Sequence, residues 1–163
     1  MQTPIPSYTH ALRSLAAILA KAETHCDDRK IDPNALLTAR LFPDMMNFTR
    51  NILVACDTAK GLAARLSQTE NPIFDDNETT FAELQARIAK TIEFMESVPE
   101  AAFEGAEQRD VVMKFVPEER TFTGTSYFTG FAAPNFYFHM TTAYNILRHN
   151  GLEIGKRDFL GAA

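Results

Sequence analysis

The chain has 163 residues, 45% hydrophobic and 23% charged, with a formal net charge of −5. That composition belongs to a globular chain and predicts one domain over 1–163; it excludes a disordered or fibrous class. The acidic balance, with sixteen scattered Lys and Arg residues, argues against a nucleic-acid partner, because phosphate binding needs a concentrated basic surface.

MQTPIPSYTH has neither the charged nor the apolar region of a secretory signal. No run reaches the roughly 20 apolar residues that cross a bilayer. The expected location is the cytoplasm, without a membrane partner.

Over residues 6–26, Tyr8, Leu12, Leu15, Leu19 and Ala22 recur at steps of three or four, which predicts a first helix. DDRKIDPN ends it, and NALLTARL reads as a short turn leading onward. The second helix is expected to begin near Pro43, with Met45, Phe48, Ile52, Cys56, Ala59, Leu62 and Leu66 as its buried seam. On the same helix Asp44, Asn47 and Asn51 follow i, i+3, i+7, and read most simply as a solvated outer face. Asp44 alone has the alternative of a dipole partner at the helix start.

SQTENPIFDDNE carries no periodicity and reads as a loop, long enough to allow a crossover. Thr80 followed by Glu83 forms a capping-box signature for a third helix. That helix buries Phe81, Leu84, Ile88, Ile92 and Met95 and ends at Pro99.

Residues 111–123 switch to alternation, with Val111, Met113 and Phe115 against Val112 and Lys114, and PEE as a turn. They predict a β-hairpin. GTSYFTGFAA then leads to a fourth helix from about Pro134 to just before Gly151, and Phe159 and Leu160 hold the tail to the surface. The fold class is therefore all-α, an up-and-down-type four-helix bundle with a small β-hairpin before the last helix.

Cys26 and Cys56 lie too far apart for a CxxC motif and read as small buried hydrophobes. Of the four histidines, His10 and His25 fall at the border and end of the first helix. His25 and its neighbour Cys26 point about 100° apart, so they form no dyad. His139 and His149 share the fourth helix but are separated by about 15 Å along it and roughly 80° around it, too far to hold one ion together. His149 suits the helix end, where a cation is favoured.

His139 shares a face with Asn135, Thr142 and Ile146. This row lines a pocket at one end and enters the core at the other. Two readings stay open for it: a buried imidazole bonded to a neighbouring helix, or a ligand-binding or acid–base group. The aromatics Phe128, Phe131, Phe136, Tyr137 and Phe138 cluster at the entry to this helix, as core, as interface or as an apolar pocket wall. Arg50 reads as a surface residue, with the alternative of a fork for an anionic ligand.

HMTTAYNILRHNG resembles the fourth-helix signature of the DinB/YfiT-like superfamily, in which a histidine is followed by L-R-x-x-G; Leu147, Arg148 and Gly151 keep the second half. PDMMNFTRNILVACDTAKG, NFYFHMTTAYNILRHNG and GKRDFL further resemble a bacterial domain-of-unknown-function branch of that superfamily over nearly the whole chain. The resemblance implies a four-helix bundle, frequently a homodimer. In many members a divalent metal is held by one histidine on helix two and an H-x-x-x-H pair on helix four. Characterised members include thiol-dependent transferases.

Carried onto this chain, the second histidine of the pair is His139 and the first is Asn135, while FPDMMNFTRN contains no histidine. An inward-pointing Asp44 would add a carboxylate and give a set of Asp44, Asn135 and His139. Such a set suits a weakly held divalent ion rather than tight zinc. The leading functional expectation is a small-molecule pocket of His139, Asn135, Asp44 and Thr142 with a degenerate metal site. The alternatives are a metal-dependent transferase or hydrolase, and a structural role as a dimer.

Overall fold

The computed structural model describes residues 3–114 and 118–162. Four long helices dominate: α1 (Ile5–Arg29), α3 (Phe48–Ser67), α4 (Phe81–Ser97) and α6 (Ala133–His149). Shorter helices are α2 (Pro33–Leu37), α5 (Gly124–Tyr127) and α7 (Lys156–Phe159), and the strands are β1 (Asp110–Lys114) and β2 (Glu119–Thr123). The predicted four-helix bundle with a hairpin before the last long helix is the observed fold. Among the described residues no helix is long and apolar enough to cross a membrane.

α1 packs on α4, and α3 lies between α4 and α6. Leu12, Leu19, Ile52, Leu62, Leu84, Phe136 and Leu147 fill the shared core, each with no more than 1% of its surface exposed. α3 is the central element, since every residue from Asn51 to Ser67 is buried or half-buried. Cys56 lies on its core face, and burial pushes the thiol up to about 12. Cys26 is likewise buried and its thiol is raised by the same cause. Both read as packing groups, because a reactive thiol needs a stabilised thiolate.

The hairpin pairs β1 with β2 antiparallel, Val111 opposite Phe122 and Met113 opposite Arg120. Phe115 and Pro117, expected in a strand and in the turn, lie outside the described residues. Gly124 opens α5 against the Ala106 carbonyl, where an added Cβ would stand 1.8 Å from the oxygen, so only glycine fits. GTSYFTGFAA, read from sequence as a connection, is helical: α5 runs through a π-helical turn, Phe128–Ala132, into α6. The wide turn sits immediately ahead of Pro134, whose ring removes one N–H from the helical ladder.

Three further elements differ from the sequence reading. α1 continues to Arg29, where Lys30 takes the left-handed cap conformation. NALLTARL holds a short helix, capped by Asp32, that buries Leu36 and Leu37. The second long helix begins at Phe48 and not near Pro43, because the Asn47 side chain accepts from the Arg50 N–H at 2.8 Å and caps it there. Pro43 and Asp44 lie in the exposed turn before it, and Met45 is half-buried there.

The capping box at Thr80 and Glu83 is present. Ahead of it, residues 70–79 form an irregular strap that joins the neighbours α3 and α4. Its anchor is Arg87, whose side chain is 2% exposed. Arg87 donates to the Asp75 carbonyl at 2.8 Å, Glu78 at 2.9 Å, Asp57 at 3.0 Å and Asp76 at 3.1 Å. Lys60, also buried, donates to the Pro72 carbonyl. The Phe74 ring lies beneath three cations, Lys60, Arg87 and Lys90, at 4.3, 5.0 and 4.1 Å.

Arg87→Ala leaves these acids without their shared cation. It should lower the unfolding free energy by about 2–3 kcal/mol, below the full penalty for a buried pair because Asp57 and Asp76 are partly solvated. Urea denaturation checks the size, and limited proteolysis should show new cleavage within the strap.

Candidate functional site

The polar row of α6 meets α3 across their antiparallel seam. His139 is 6% exposed, and its Nδ1 lies 2.9 Å from Asn51 Oδ1. Four residues earlier, half-buried Asn135 donates from Nδ2 to the Thr58 hydroxyl at 2.7 Å. On α3 the two acceptors are seven positions apart, and on α6 the two donors are four apart. Each pair therefore bridges the helices at a separate level of one face.

Asn51 fixes the chemistry of the imidazole. Its Nδ2 donates to the carbonyls of Met46 at 3.0 Å and Asn47 at 2.8 Å, which turns its Oδ1 toward the ring. An oxygen can only accept, so His139 donates through Nδ1–H. In the neutral ring Nε2 then carries a lone pair, and among the described residues it has no hydrogen bond. Burial, and secondarily the charge of Arg50, holds the His139 pKa below the ordinary imidazole value. The ring is therefore the neutral Nδ1–H tautomer at neutral pH.

Asn51 was expected on a solvated outer face; it is 1% exposed and faces α6. The i, i+3, i+7 spacing of 44, 47 and 51 marks one helical face but not what covers it, and α6 covers Asn51. Asp44 is exposed in the turn before α3. The structure thus joins His139 to Asn51, and Asn135 to Thr58. Thr142 is buried, but its hydroxyl donates to the Phe138 carbonyl of its own helix at 2.7 Å. Asn51 and Thr58 had a readable signal: both lie in one seven-residue row with Ala55 and Leu62 on the buried face of α3.

The entry aromatics divide. Phe136 is fully buried and stacks on Tyr8 at 4.4 Å. Tyr137 and Phe138 are 40% and 58% exposed, and the Phe138 ring stands edge-on to His139 at 5.2 Å. Phe42 and Met46, in the turn before α3, are 63% and 45% exposed. Of the other histidines, His10 bonds through Nε2 to the Leu160 carbonyl at 2.8 Å, and His149 is the exposed last residue of α6. Four surface depressions of 270 to 570 Å³ are lined by other residues, and none of the four includes His139.

The three-ligand metal cage implied by the sequence resemblance does not fit these donors. Asn51 Oδ1 is bonded to Nδ1–H, Asn135 is bonded to Thr58, and Asp44 stands exposed off the helix. Among the described residues no three His, Cys, Asp or Glu side chains come together as an ion-binding group. A single imidazole is far short of the usual donor set for Zn or Ni.

Replacing Asn51 by Ala removes the acceptor for Nδ1–H, and should cost about 1–3 kcal/mol in chemical denaturation. Because the folded pKa of His139 is depressed, the unfolded chain binds the extra proton first. The stability held by the neutral ring is present above the ordinary value, about 6.5. It is lost as pH falls below that value toward the folded pKa. His139→Gln should flatten this part of the stability–pH curve.

A search of the curated proteins gives no match. A crystal structure of a DinB family member protein from Shewanella denitrificans is similar, with a TM-score of 0.92 and 42% identity, covering 98% of this chain and 90% of that one. The family model described as Domain of unknown function (DUF1993) matches residues 1–160. With a DinB-type bundle and a family match over almost its full length, the chain belongs to the DUF1993 family.

Proposed function

We propose that this protein binds a small molecule at His139, without a metal ion. The observation that carries the reading is the uncommitted Nε2 of a neutral ring whose other nitrogen is fixed by Asn51. Nε2 accepts a hydrogen bond from an O–H or N–H of the ligand, and the exposed ring of Phe138 offers an apolar wall beside it. Asn135 and Thr58 hold α6 against α3 and so keep the ring in position.

A pre-set lone pair is also what a general base requires. Base chemistry needs a substrate proton within hydrogen-bond reach of Nε2, and the binding reading comes first because it requires nothing more than the acceptor. Titration with Zn, Ni and Mn should show no stoichiometric binding at micromolar concentration. One ion per chain, lost in His139→Ala, would overturn the metal-free reading. A fragment screen monitored by NMR should give hits that carry a donor and that shift the His139 ring signals.

We propose in addition that the chain forms a homodimer that covers the exposed apolar side chains Phe42, Met46 and Phe138. Light scattering at high concentration should give twice the chain mass, and Phe138→Glu should return it to one. A wild-type monomer at that concentration removes the proposal.

A further inference from the structure

Residues 40–46 pass from α2 toward α3 outside the core. The core stops at half-buried Ala39 and resumes at Phe48, and between them Leu41, Phe42 and Met46 are exposed. The turn closes on itself: Arg40 donates to the Met45 carbonyl, and the Met45 N–H to the Phe42 carbonyl at 3.0 Å. Among the described residues, one hydrogen bond links residues 40–46 to the His139 site. The Met46 carbonyl accepts from Asn51 Nδ2 at 3.0 Å, and Oδ1 of the same carboxamide lies 2.9 Å from His139 Nδ1.

A carboxamide turned over keeps nearly the same shape but presents the opposite hydrogen-bonding groups. Turned over here, Nδ2 would donate to the ring and Oδ1 would face two carbonyl oxygens. The ring would then accept at Nδ1 and carry its proton on Nε2. Two carbonyls oppose this state. The Asn47 carbonyl belongs to the helical ladder, since it also accepts the Asn51 main-chain N–H at 3.1 Å. The Met46 carbonyl lies outside the helix, in the exposed turn.

We propose that Met46 is a positioning residue and that the turn 40–46 regulates the His139 site, setting through Asn51 whether Nε2 accepts or donates. With the Met46 carbonyl in place, the site selects ligands that carry an O–H or N–H. Displacing the turn withdraws that carbonyl, the carboxamide turns over, and the site selects ligands that only accept. The coupling is limited to one hydrogen bond, roughly fivefold in the ratio of the two tautomers. Phe42 and Met46 also face the second copy in the dimer proposed above, so assembly and ligand choice act on one turn. The inference rests on the reading of His139 as a ligand-binding group.

The test uses the full chain with two probes of similar size: phenol, which donates through its O–H, and pyridine N-oxide, which only accepts. Both affinities are followed by the ¹⁵N signals of His139, and their ratio gives the selectivity. Wild type should prefer phenol. Exchange of the Met46–Asn47 peptide bond for an ester weakens the Met46 carbonyl as an acceptor, and should lower that preference by about threefold. Arg40→Gln combined with Pro43→Gly loosens the turn from outside the site. It should lower the preference by about fivefold, with the Nε2 signal moving toward that of a protonated nitrogen.

A merely structural effect weakens both probes alike and leaves their ratio unchanged. If phenol binds wild type and either change leaves the ratio at the wild-type value, the regulatory proposal fails and the His139 site stands. If neither probe moves the His139 signals, the site itself is lost, and the proposal with it. Thermal midpoints within a few degrees of wild type establish that each altered protein is folded.

Discussion

The hydrogen bond between Asn51 and His139 is the constraint on which the functional account depends. It couples the two most closely packed helices, α3 and α6, and selects one tautomer of the only histidine in their seam. A buried imidazole without that partner would be a cost to folding, because an unpaired N–H in an apolar interior carries its full desolvation penalty. With the partner, one nitrogen is satisfied and the other is left as an acceptor. Packing and chemistry are thus set by the same contact.

The second polar pair, Asn135 with Thr58, makes the arrangement a double staple rather than an isolated bond. In the superfamily signature these α6 positions belong to metal-binding histidines. Here a carboxamide replaces one imidazole, and the seam is closed by hydrogen bonds between side chains. Such bonds hold two helices in register but place no divalent charge in the interior. The polar row therefore survives as structure, with one lone pair in excess of what the structure uses.

Much of the fold was legible because its signals are local and periodic. The seam from Phe48 to Leu66, the Thr80–Glu83 box and the alternation from Val111 each follow a spacing rule that tertiary contacts reinforced. The start of α3 was misread because Pro43 is a good first-turn residue, and Asn47, four positions later, is a better cap. That shift takes Asp44 off the helix, and the pairing of Asn51 with His139 buries the last member of the row 44, 47 and 51. The strap was read correctly as irregular, but its anchor was not readable. Arg87 lies in α4, and nothing in the local pattern of that helix distinguishes it from a surface cation.

His139 is identifiable from its helical neighbours and Asn51 from its row on α3, but their pairing is not, since the two residues are separated by 88 positions. Long-range pairing of this kind leaves no trace in a single sequence. The most direct measurement is a long-range ¹H–¹⁵N correlation spectrum of the histidine-labelled protein at pH 7, with His139 assigned by substitution. The account predicts a neutral ring protonated at Nδ1 and bare at Nε2. A ring protonated at both nitrogens, or one with the proton on Nε2, would contradict it.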